Sequence, residues 1–204
     1  MHTLPVTLTT AVRVPLAAPF LALATWAALL PGAAAAFDFA GDKRLLARTL
    51  DGATVQLGVV RFQPVAGTQV PGATRFSVQW THGVLTDYFL SMREFKCLGA
   101  ATEVTCHVPY PYAQPGTLTP TDLSWLEHSL LFLYKRPADH GAKLWNGLIF
   151  RFQVTPHALV GTPQAVDLNR ISAPPDRLDE PPFTPADRED FAPGTRWLSE
   201  LRIE

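Results

Sequence analysis

Two cysteines among 204 residues are too few for a disulfide-rich scaffold, and they leave no paired CxxC motifs for a structural zinc. The chain also lacks a GxSxG nucleophile elbow, a phosphate-cradling glycine loop, an HExxH helix motif and a calcium loop. Each absence removes a well-marked enzyme class. No internal repeat is present. Positive charge is not in excess either. Residues 1–36 carry Arg13 and no acid, so without them 16 basic residues face 18 acids, a formal net charge of −2. That balance disfavours a nucleic-acid partner.

The acid-free start is itself informative. Arg13 precedes an apolar run over residues 14–30, then Pro31-Gly32 and the four alanines Ala33 to Ala36. This is the order of a secretory signal peptide of bacterial type, with a small-residue site predicting cleavage between Ala36 and Phe37. The apolar run is also long enough to serve as an uncleaved anchor. No cysteine near the cleavage point offers a lipidation site, so the product is expected to be soluble, with no membrane span once the signal is removed. The expected location is the periplasm, or the medium. The reading divides the chain into a signal peptide (residues 1–36), one mostly β domain (residues 37–172) and a Pro- and acid-rich arm (residues 173–204) that docks back on the domain. A mature chain of this length buries roughly 70% of the surface its unfolded form exposes, so its core does not depend on a disulfide.

Both cysteines fall in residues 87–112, DYFLSMREFKCLGAATEVTCHVPYPY. Residues 87–97 and 103–108 are β-favouring, and the small residues Gly99 to Thr102 suit a reversal between them. Pairing about the Ala101/Thr102 midpoint sets Cys97 opposite Cys106, and a bridge there would pin the register. Closing so short a loop is worth about 2.7 kcal/mol in the chain-entropy model. The same ladder sets Lys96 opposite His107, with Glu94 diagonally within reach. Glu94, Lys96 and His107 are therefore the candidate ligand-binding cluster, against the plainer reading of a solvated face. Pro109, Pro111 and Pro115 then end the strand.

Elsewhere, two apolar-rich runs flank Asp51-Gly52, the dipeptide of a type I′ hairpin. Residues 75–80 alternate, putting Phe76, Val78 and Trp80 on a core face. A turn at residues 81–84 is expected to fold this strand back against the start of the central stretch. Thr119-Pro120-Thr121-Asp122 has helix-start chemistry, which predicts a helix to about Lys135 with Leu123, Leu126, Leu130, Leu133 and Tyr134 as its buried stripe. The run 130–134 also reads as a strand. Residues 144–155 and 158–168 read as strand partners, the second interrupted at Gly161 and Pro163. The buriable residues at the chain's end suggest an edge strand. The fold class is thus α+β, mostly β: an antiparallel sheet of about seven or eight strands, open to a sandwich or partly open barrel, with one main helix over residues 120–135.

Glu127 and His128 adjoin on that helix but diverge by 100°, and read as solvated; the other histidines show no mutual spacing. No metal or cofactor is expected. The expectation is an exported domain that binds an unidentified protein or envelope ligand without catalysis. A hydrolase with an unmarked carboxylate or histidine pair is one alternative. A glycan-binding module using Trp80, Trp125, Trp145 or Trp197 is the other.

Overall fold

The computed structural model describes residues 36–171 and 176–204, together with His2. The proposed signal peptide therefore lies outside the described residues, save for its last alanine. Twelve strands form one open antiparallel sheet, where seven or eight were expected. Three of the additional strands are two-residue pairings, β4 (Thr86–Asp87), β7 (Thr117–Leu118) and β11 (Glu189–Asp190), too short to leave a pattern in a sequence.

The hairpin of β1 (Gly41–Thr49) and β2 (Thr54–Pro64) reverses at Asp51-Gly52 as expected, but not in the expected type I′ turn: Gly52 has φ 87° while Asp51 does not have positive φ, and the loop closes with the Thr49 N–H donating to the Ala53 carbonyl at 3.0 Å. Leu45 pairs with Gly58 and Leu46 with Gln56, so Leu57 is the extra residue of a bulge. Its carbonyl accepts a hydrogen bond from the Thr81 N–H at 2.7 Å. Here β2 and β3 (Thr74–Trp80) approach so closely that a Cβ on Gly58 would sit 2.1 Å from the Gln79 carbonyl oxygen. Phe76, Val78 and Trp80 do face the core. The strand does not fold back on the central stretch, however; its second partner is β7, at Thr74 and Arg75.

The central hairpin, β5 (Lys96–Gly99) and β6 (Val104–His107), has the expected register, with Lys96 opposite His107 and Cys97 disulfide-bonded to Cys106. Residues 88–95 leave the sheet, because Thr86 and Asp87 already pair with Cys97 and Lys96 and close a wide loop.

The predicted helix over residues 120–135 is corrected to α1 (Ser124–His128), five residues long. The Thr119–Asp122 signal makes a tight turn ahead of it. The chain then leaves the helix, and β8 (Phe132–Lys135) enters the sheet between β6 and β9 (Gly147–Val154). The reason lies in Leu130-Leu131-Phe132-Leu133, which is apolar on every side. A helix lying on a sheet covers one stripe, whereas an interior strand buries both faces. Phe132 joins one hydrophobic cluster and Leu133 the other, and all four residues are fully buried.

Two expected interruptions of β10 (Leu159–Val166) do not break it. Gly161 lies under the Phe152 ring, where a Cβ would meet it at 2.9 Å. Pro163 falls between the residues paired with β12 (Leu198–Ile203) and those paired with β11, where no neighbour needs its missing N–H. The strand β12 is interior, not an edge: it pairs with β1 on one side and β10 on the other.

The sheet curls around the first cluster, so that Trp80 of β3 packs on His107 of β6 at 4.1 Å between ring centroids. The second cluster lies on the opposite face of β5, β6 and β8, under Phe89 and Phe183. No helix among the described residues is long and apolar enough to cross a membrane.

Candidate functional site

The residues singled out from the sequence do not make one site. Lys96 binds Asp87 through its ammonium group. His107 points inward instead, buried between Trp80 and Phe132, with Nε2 3.3 Å from the Ser129 carbonyl oxygen. Burial pulls its pKa down to about 4, so near neutral pH the ring is uncharged. Glu94 is exposed in the turn before β5, off the ladder, and borders a groove lined by Phe95, Val108, Pro109 and Leu144. Ladder diagonals hold only while both residues are in the strand, and β5 begins at Lys96.

A denser polar arrangement surrounds Glu127 and His128, which are buried rather than solvated. They do diverge around α1, and each side is covered. Along β9 only Gly147 and Leu148 pair with β8, which leaves the N–H groups further along that edge without a strand partner. Glu127 meets one of them: its Oε1 accepts from the Phe152 N–H at 2.9 Å. Its Oε2 accepts from Arg188 Nη1 at 2.6 Å, and Arg188 Nη2 donates to the Phe183 carbonyl at 3.0 Å.

His128 anchors the same segment. Its Nδ1 lies 2.7 Å from the Ser124 carbonyl oxygen, which can only accept, so the proton is on Nδ1. Nε2 is then free to accept from the Phe183 N–H at 3.1 Å. The Phe183 ring stacks on the imidazole at 5.6 Å. Burial, with the nearby Arg188 charge, holds the His128 pKa down to about 4. A capping box, in which Thr184 Oγ1 and N–H both donate to Asp187 Oδ2, shapes the intervening turn.

Residues 180–188 thereby become one wall of a cleft of about 750 Å³, with α1 opposite and β9 and β10 as its floor. Asp122, Glu180 and Arg151 stand on its lining. Two buried polar atoms of lining residues have no hydrogen-bond partner: Gln164 Oε1, whose amide nitrogen donates to Asp190, and Arg188 Nε. A second acid–guanidinium pair ties down the chain further on. Glu103 is ion-paired with Arg196 at 3.2 Å and accepts hydrogen bonds from the Trp197 N–H and the Thr105 hydroxyl, and the Arg196 guanidinium lies 3.8 Å over the Tyr134 ring. Burial pushes the Glu103 carboxyl up, against the pull of Arg196.

Nothing in the local pattern marks Arg188, which is one of two arginines among the prolines and acids of residues 173–194. The available signal was Phe183, one of three large apolar residues in that stretch with Leu178 and Phe191. Among the described residues, no group of three or more His, Cys, Asp or Glu is placed to hold a metal ion. Comparison with models of protein families, with curated proteins and with solved structures returned no match.

Proposed function

We propose that this is an exported, non-enzymatic binding domain whose cleft between α1 and residues 180–188 receives a small polar ligand. The observation that carries the reading is the cleft's lining, where Gln164 Oε1 and Arg188 Nε have unmet hydrogen-bonding capacity. Ligand sites combine a concave surface with a few convergent polar groups, and lining residues that hold one unmet acceptor and one unmet donor suit a ligand bearing hydroxyl or amide groups. Binding is favoured over catalysis because Glu127, His128 and His107 already have structural partners. The disulfide suggests an oxidising, exported location. Cleavage after Ala36 would make Phe37, packed against Phe39 and Phe62, the first residue of a periplasmic protein.

The test is a thermal-shift panel of amino acids, dipeptides, polyols and sugars, with each hit repeated on Gln164→Leu. Hits lost in that variant support the cleft. Turnover of a panel compound, or hits indifferent to Gln164, would favour a hydrolase or another surface.

A further inference from the structure

Residues 184–189 have a second side. Apart from the cleft, and sharing no lining residue with it, a groove of about 390 Å³ lies between that segment and the end of β10, lined by Trp145, Asp167, Arg170, Asp187 and Glu189 among others. Of the four tryptophans weighed as sugar contacts, Trp125 is buried and Trp80 packs on His107; Trp197 is partly buried against the core. Trp145 alone is broadly open, 60% exposed, with the Lys143 ammonium 5.2 Å from its ring centroid. A surface tryptophan alone needs no explanation, but this one borders a groove with charged groups of both signs.

Arg170 and Asp187 are ion-paired through Nη1 and Oδ1, and half of the arginine side chain remains exposed. Hydrogen bonds from Thr184 and Arg170 hold the Asp187 carboxyl at about 2, so it is ionised throughout the ordinary pH range. Glu189, on β11, is exposed. A sugar hydroxyl is both donor and acceptor. It can give its proton to a carboxylate while receiving one from a guanidinium, and charge-assisted bonds of this kind are the stronger ones. The apolar C–H face of a pyranose matches the flat indole beside them.

We propose that the Trp145 groove is a subsite for one uncharged pyranose unit of an oligosaccharide. Trp145 stacks on the ring, and the Arg170–Asp187 pair with Glu189 takes its hydroxyls. Three carboxylates against Arg170 and Lys143 disfavour an anionic sugar. The site is distinct from the cleft, so either can fail without the other.

The test titrates the purified protein with cellotriose, maltotriose and chitotriose, following in 1H–15N spectra the Trp145 indole N–H in wild type and the backbone amides of Arg170 and Glu189 in every variant. The expected result is a saturable shift with at least one of them, weakened about tenfold or more in Trp145→Ala and more mildly in Glu189→Gln. Trp145→Ala is a surface change and should keep the wild-type melting temperature. An absence of saturation with all three would overturn the inference, as would binding that survives Trp145→Ala. Shifts confined to the amides of Ser124, Phe152 and Thr184 would overturn it too, while supporting the cleft.

Discussion

Arg188 Nη1 lies 2.6 Å from Glu127 Oε2, across 61 residues of chain, and both side chains are more than nine-tenths buried. Removing one partner of such a pair leaves an uncompensated buried charge, which typically costs about 3–5 kcal/mol. Arg188→Ala should lose stability on that scale in urea melts. Arg188→Lys should fall between it and wild type, because an ammonium keeps the charge but not the fork that also reaches the Phe183 carbonyl. Equal stability of all three proteins would mean that the pair does not hold this segment.

His107 and His128 make the fold sensitive to acid. Each has its pKa depressed from 6.5 to about 4, so the unfolded chain takes up their protons first as pH falls. Stability should be fully present above about pH 6.5 and decline toward pH 4, by about 3 kcal/mol for each histidine. Glu103, whose carboxyl burial pushes up, opposes this at the lower end of the window. Urea midpoints at pH 7.5 and 5.5 should differ clearly in wild type and by less in His128→Gln. An unchanged difference would mean that His128 is not buried and neutral.

The bridge between Cys97 and Cys106 should stabilise the fold without being required for it. Replacing both cysteines by alanine is expected to cost about 2–3 kcal/mol and leave the circular-dichroism spectrum unchanged. Two free thiols in unreduced, unfolded protein would rule the bridge out.

What was legible from residues alone follows the range of the interactions. The Asp51-Gly52 hairpin and the Cys97/Cys106 register are set by residues a few positions apart, and turn chemistry reveals them. The place of β12 between β1 and β10 depends on a pairing such as Leu45 with Ile203, which no local pattern encodes. Residues 130–133 misled because periodicity cannot separate a buried helix from a buried strand when every position is apolar. For the site the same limit applies more strongly. Glu127 and His128 look solvated on an isolated helix, and β9 together with Arg188 and Phe183, both more than 50 residues further along the chain, buries them.

That correction reverses an expectation. If α1 extended to Lys135, His128 would face solvent and His128→Ala would cost little beside Leu130→Ala. With His128 fully buried and bonded at both ring nitrogens, both substitutions should cost about 2–5 kcal/mol. A nearly neutral His128→Ala would restore the longer helix.

The most direct test of the proposed site asks whether the cleft is built in advance or is a gap beside a loose arm. Amide hydrogen exchange at Phe183 and Phe152 reports this, since their N–H groups bond His128 Nε2 and Glu127 Oε1. Both should be strongly protected at pH 7 without ligand, and Phe183 should lose most of its protection in Arg188→Ala. Exchange of the Phe183 amide at the rate of an unstructured peptide in the wild-type protein would contradict the account.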